Sequence, residues 1–212
     1  GILQKTEGTG ACFPQYDNNT FSADNRIKIT GNLQSDGTWE NPNVPYLIQE
    51  ELRIQVGATV TAEPGTEFQF SSENDKLSVR GTFLANGTQG EPITFTRDTD
   101  FSGNWHGIDY SGDGTNGSQM SHVVVEYSGS DLGGETFVGA IHCVQEASPS
   151  FSNVTLRNNV QGFWFHTNGN ATVSNCTIEN NDRFGIYIVN SSPTIENNSI
   201  AGNGSGGVFQ HT

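Results

Sequence analysis

Asp109, His142, Trp164, Tyr187 and Phe209 occupy equivalent places in five short stretches: "GIDYS", "AIHCV", "GFWFH", "GIYIV" and "GVFQH". The steps between them are 33, 22, 23 and 22 residues. A carboxylate one step from an imidazole could move protons, one group acting as base and the other orienting it. Aromatic rings one step apart could hold a sugar polymer, whose CH faces suit an aromatic platform. His166 and His211 extend the pattern into a neighbouring outward column with Val144 and Val189. A hydrolase needs two carboxylates about 5–9.5 Å apart across the sugar bond, and no second Asp recurs one step from Asp109. A lyase or epimerase needs a base, a group that neutralises a uronate carboxylate and usually a cation. Asp109 and His142 are the catalytic candidates for that chemistry, with Arg157 or Arg183 to neutralise charge. Arg157, however, falls in a different column, Glu126–Arg157–Glu179, where ion pairing between successive strands is the simpler role.

Two loops carry oxygen ligands at metal-binding spacing. "RDTDFSGN" holds Asp98 and Asp100, and "SGDGTNGS" holds Asp113 and Asn116. Alternating Asp and Asn in glycine-rich loops can wrap Ca²⁺. Neither matches the twelve-residue EF-hand loop or the nine-residue Asp/Gly calcium repeat, and polar turn chemistry is the simpler explanation of both. Ca²⁺ is the only cofactor these residues suggest.

The elements that must position these side chains follow from a repeat. "PSFSNVTLRNN" begins at Pro149, "ATVSNCTIENN" at Ala171 and "PTIENNSIAGN" at Pro193, a step of 22 each time. A fixed period in the twenties identifies a solenoid, and the local period of two within each repeat identifies strands. The Gly, Asn and β-branched content excludes helical repeats, and leucines are too few for leucine-rich repeats. The expected fold is a parallel β-helix in which each repeat is one coil and strands stack about 4.8 Å apart. Val154, Leu156, Cys176, Ile178 and Ile200 face inward on one sheet. Ile141, Cys143, Phe163, Phe165, Ile186, Ile188 and Val208 face inward on the next. Asn153, Asn175 and Asn197 form one column at a bend, and Asn159, Asn181 and Asn203 form another. Their amides can bond from coil to coil, and asparagine tolerates the left-handed backbone of sharp turns.

Earlier coils are less regular. "LRIQVGATVTAEPGTEFQF" and "KLSVRGTFLANGTQGEPITFT" each hold two alternating strands. Ile108 is the counterpart of Ile141, and Val125 of Leu156. The long step between Ile108 and Ile141 places an inserted loop within Gly129–Val138. Residues 1–45 do not join the repeat and read as an N-terminal cap, with Trp39 plugging the first coil; residues 46–212 form the β-helix domain. The last stretch, "GVFQHT", has no polar cap. The expectation is a longer parent protein, or end-to-end or face contact with another molecule at that coil.

Of the 212 residues, 33% are hydrophobic and 15% charged, and the formal net charge is −14. Thirteen Phe, five Tyr and three Trp, with alternating patterning, argue against disorder. Nine Lys and Arg, none clustered, disfavour nucleic acid and anionic membranes as partners. No run of 18 apolar residues offers a membrane span. Cys12, Cys143 and Cys176 lack zinc-site spacing; the two later ones read as buried, and their disulfide state is open.

"YLIQEELRIQVGATVTAEPGTEFQF", "LSVRGTFLANGTQGEPITFT", "WHGIDYS", "SHVVVEYSG" and "GIYIVNSSPTIENNSI" together resemble the right-handed parallel β-helix repeat proteins of bacterial surfaces and secretions. The resemblance covers about Tyr46 to Thr212. It implies an all-β, single-stranded right-handed β-helix of about six to seven coils, secreted or displayed on the cell surface. That class includes pectate lyases, alginate lyases and epimerases, polygalacturonases, phage tailspikes, ice binders and adhesins. The short, charge-flanked column Val124, Thr155, Thr177, Ser199 is a poor ice-binding face, and polygalacturonase-like "NTD" and "DD" motifs are absent. The favoured expectation is a non-catalytic module that binds a polysaccharide or surface glycan, or mediates adhesion, through Trp164, Tyr187, Phe209, His142 and His166. The alternative is a polysaccharide lyase or epimerase acting on uronate polymers at Asp109 and His142.

Overall fold

The structure, a computed structural model, describes residues 2–6, 13–16, 19–22, 25–129 and 139–211. Cys12 and all of the expected loop except Gly129 lie outside these. The alternation of apolar and polar residues is realised as short parallel strands, each hydrogen-bonded to its counterpart one turn earlier and one turn later. The strands lie on three faces of a parallel β-helix of about eight turns.

Face A holds Lys76–Val79, Gly107–Ser111, Ile141–Val144, Phe163–His166, Phe184–Val189 and Gly206–His211. Face B is a seven-stranded sheet running from Gly37–Trp39 to Thr194–Glu196. Face C runs from Glu67–Phe70 through Ile93–Arg97, Val123–Glu126, Thr155–Arg157 and Thr177–Glu179 to Ser199–Ala201. Tyr46–Ile54 bends at Glu50 (φ 62°), so residues 46–48 pair on face C and residues 51–54 on face A. Among the described residues the one helix is the 3₁₀ turn Asp113–Thr115, and no helix is long and apolar enough to cross a membrane.

The two asparagine columns do different work. Asn153, Asn175 and Asn197 are exposed and adopt φ of 53°, 54° and 56°, which turns face B into face C within one residue. A left-handed corner costs asparagine less than most residues. Asn159 and Asn181 are buried, and their amides form a ladder from turn to turn. Asn203 continues it, and the Ser128 hydroxyl and amide both donate to Asn159 Oδ1 at its head.

The turns begin before the repeat becomes visible in the sequence. Within the segment expected to form the cap, Ile27–Leu33 pairs with Tyr46–Ile54, and Gly37–Trp39 pairs with Thr59–Ala62, both in parallel register. A register shift between Ile29 and Gly31 breaks the alternation there, so the spacing of 22 does not extend back to this turn. Trp39 is buried, edge-on to Phe68 at 5.2 Å and Phe83 at 5.9 Å between ring centroids. Further in, Phe70 and Trp105 stack at 3.7 Å and Phe68 and Phe95 at 4.8 Å. Each such ring contributes roughly 1.5–3 kcal/mol by leaving water, but only because the turns above and below enclose it.

Small residues precede the first inward side chain of the face A strands from Gly107 onward. The register Ile108–Ile141–Phe163–Ile186–Val208 places Gly107, Ala140, Gly162, Gly185 and Gly207 directly before it. A Cβ on Gly162 would lie 2.1 Å from the carbonyl oxygen of Gly185. Gly162→Ala should therefore force neighbouring turns apart and destabilise by roughly 1–3 kcal/mol. In urea titrations of both variants, Gly90→Ala, whose added methyl has no described atom within 4 Å, should keep a denaturation midpoint close to wild type.

Candidate functional site: the outer surface of face A

Alternation along the face A strands puts every second side chain outside. In register these outward positions are Arg53, Ser78, Asp109, His142, Trp164, Tyr187 and Phe209. The five residues singled out from the sequence form one continuous column. His166, Val189 and His211 form the column beside it.

The column has two chemically distinct halves. Around Asp109 it is polar. His142 Nδ1 lies 3.3 Å from Asp109 Oδ1, and His106 Nε2 lies 3.4 Å from Oδ2. Lys76 Nζ sits 3.8 Å from Asp109 Oδ2 and 3.7 Å from Glu51 Oε1. Glu51 accepts from Arg53 at 2.6 Å and from the Ser78 hydroxyl at 2.5 Å. Two carboxylates and a lysine thus make a chain across three turns. Burial of Asp109 works against its ionisation, but the hydrogen bonds and charges of His106 and His142 outweigh it and hold the carboxyl well below the usual aspartate range. Glu51 is likewise lowered: burial opposes ionisation, and the bonds from Arg53 and Ser78 and the charge of Lys76 overcome it.

Beyond His142 the column is aromatic. His142 stacks on Trp164 at 4.4 Å and 17°, and His166 closes the group at 4.8 Å from each. Tyr187 stacks on Phe209 at 4.8 Å and 10°. Between these pairs the stack is broken, because Trp164 and Tyr187 meet at 80° with centroids 6.4 Å apart. The three rings share a column and an outer face but not a common plane. The packing of Phe184, which lies 5.8 Å from Tyr187 and 5.1 Å from Phe209, accompanies this turn of the rings. All of them remain partly exposed. His142 Nε2 and Trp164 Nε1 are buried without a hydrogen-bond partner among the described residues. Burial first, and then the charge of His142, push His166 down to about 4, so its ring is neutral at pH 7.

The remaining candidates lie apart. Asp98 accepts from Arg26 at 2.7 Å, so its carboxylate is already committed to a protein cation. Asp100 and Asp113 are exposed, and Asn116 accepts from the amide and hydroxyl of Ser148. Among the described residues no group of three or more His, Cys, Asp or Glu is set to hold a metal. Arg157 bonds Glu126 at 2.9 Å on face C. Cys143 and Cys176 are buried free thiols; burial, with the charge of Asp109 added, raises Cys143.

Sequence reasoning missed His106, Lys76, Glu51, Arg53 and Phe184. Aligning Leu77 and Val79 with Ile108 and Tyr110 would bring Arg53 into the Asp109 column, but His106, Lys76 and Glu51 lie outside that column. Phe184 carries no such signal, since it stands where other turns have no aromatic residue.

A solenoid of stacked parallel turns with short strands on three faces defines the β-helix class. The family model for the right handed beta helix region matches residues 70–212, and the chain belongs to that family. No curated protein and no solved structure matches it.

Proposed function

We propose that face A is the glycan-binding surface of a secreted or surface-displayed β-helix module, binding a linear polysaccharide or mediating adhesion without catalysis. The observation that carries this reading is the recurrence of a ring at one outward register in four consecutive turns, each ring partly exposed. A linear polymer lying along the axis meets a ring at each turn. The break at 80° means that the exposed surface is a mixture of ring edges and faces, so sugar CH groups meet edges at some turns and faces at others.

Lyase or epimerase chemistry at Asp109 and His142 fits the geometry less well. A carboxylate held well below its usual range is a weak base. His142 directs Nδ1 at Asp109 and has Nε2 buried under its neighbours, so neither ring nitrogen is open to a substrate.

The test is retention of the protein on immobilised glycans. Trp164→Ala removes a ring that three others contact, and retention should fall by about tenfold or more, a loss of about 1.4 kcal/mol or more. Unchanged retention in a variant with wild-type circular dichroism would remove the platform. Incubation with uronate polymers should generate no ultraviolet-absorbing unsaturated ends; their appearance, and their loss in Asp109→Asn, would establish the enzyme instead.

A further inference from the structure

A cleft of about 370 Å³ opens where face A turns into face B in the last turns, lined by Asn168, Asn170, Asn190, Ser192, Gln210 and His211 among others. It adjoins the ring column. His211 registers with Val189 and through it with His166, and Gln210 follows Phe209. Its volume is at the lower end of the range for small-ligand sites.

The lining is amide and hydroxyl apart from the imidazole of His211, with no Asp, Glu, Lys or Arg. Asn168 and Asn190 adopt φ of 64° and 49°, so the corner explains an asparagine at each place. It does not employ their amides: the side chains of Asn168, Asn190 and Gln210 bond to no other described residue. Asn170 uses only its oxygen, which accepts from the Ser192 amide at 2.6 Å. The cleft therefore presents several free groups that both donate and accept. A sugar hydroxyl also does both, and an amide matches it in either sense. A carboxylate only accepts, finds no Lys or Arg in the lining, and approaches a chain with a net charge of −14. A hard divalent cation finds no carboxylate there.

We infer that this cleft is a subsite for an uncharged sugar unit, so that the polymer held on face A is a neutral glycan and not a polyuronate. This inference rests on the glycan-binding reading of face A, and the experiment separates the two. Wild type, Trp164→Ala and the double variant Asn168→Asp/Asn190→Asp are compared by affinity electrophoresis in gels containing a neutral glucan, a neutral mannan or polygalacturonate. Aspartate keeps the shape and tolerates the left-handed corner, so the double variant should fold; circular dichroism and the melting temperature verify it. The expected result is retardation in a neutral gel, none in polygalacturonate, and a loss of about tenfold in affinity in the double variant. Equal or stronger retardation in polygalacturonate overturns the inference. So does a double variant that binds a neutral glycan as wild type does while Trp164→Ala does not, which leaves the ring platform standing. No retardation of wild type in any gel removes both.

Discussion

Asn181→Leu should be among the most destabilising single changes in the chain. The Asn181 side chain is almost wholly buried and makes four hydrogen bonds. Its oxygen accepts from the amide of Asn159 at 3.1 Å and from Asn159 Nδ2 at 3.0 Å. Its nitrogen donates to the Leu156 carbonyl at 3.2 Å and to Asn203 Oδ1 at 2.8 Å. Leucine fills a similar volume but leaves the two Asn159 donors facing it in a space closed to water. Each buried group left unpaired costs about 1–3 kcal/mol, so a loss of roughly 3–5 kcal/mol is expected. Asn175→Ala is the control, since that exposed side chain supplies only a left-handed corner. Its cost should be about 1 kcal/mol, near the preference that asparagine has for that conformation. Because turns of a solenoid can open separately, amide exchange is a better readout than a single melting temperature. Protection should collapse around Leu156–Asn203 in the leucine variant and persist in the alanine variant. Equal protection in both would mean that the ladder contributes nothing beyond turn geometry.

The second large effect is loss of stability in acid. Asp109 and Glu51 ionise more readily in the folded chain than in the unfolded one, so below the unfolded carboxylate range, about 4, the unfolded state binds more protons. Stability then rises with pH. The contribution is complete above that range and is lost as pH falls toward the folded values. His166 acts in the same direction over an earlier window. Its ring is held neutral down to about 4, against 6.5 when free, so the unfolded chain gains a proton first as pH falls from about 6.5. Two steps are expected in urea midpoints measured between pH 7 and 3. His166→Gln should flatten the upper step and Asp109→Asn the lower. Asp109→Asn should also lower stability at pH 7, because the amide cannot match the charge of Lys76 or accept at both oxygens from two imidazoles. A flat profile from pH 7 to 3 in wild type would mean that the face A network is not coupled to folding.

Both predictions fall on residues that the sequence placed in columns, yet for only one did it supply the partners. The ladder was legible because its members recur at the repeat step, and a recurring buried amide must bond to its own copies. The Asp109 network was only half legible. His142 follows by register, but His106 is three residues from Asp109 at the strand entry, and Lys76 and Glu51 belong to turns whose repeat had drifted. Long side chains reach across registers that an alignment treats as separate.

By itself the sequence determined the stacked parallel turns, which residues face in and out, and the lateral order of the rings on face A. These follow from two periods, two residues along a strand and about 22 between turns, because a parallel ladder copies register from turn to turn. The tertiary structure alone decided the rest. It assigned the two sides of the Asn153, Asn175 and Asn197 bend to separate sheets, faces B and C, because a single left-handed asparagine makes a corner without disturbing the alternation. It turned Trp164 and Tyr187 to 80°, because register sets where a side chain starts while its torsions answer to neighbours such as Phe184. It assembled the amide-lined cleft from three successive turns, because a cavity is what packing leaves unfilled and no residue pattern encodes it.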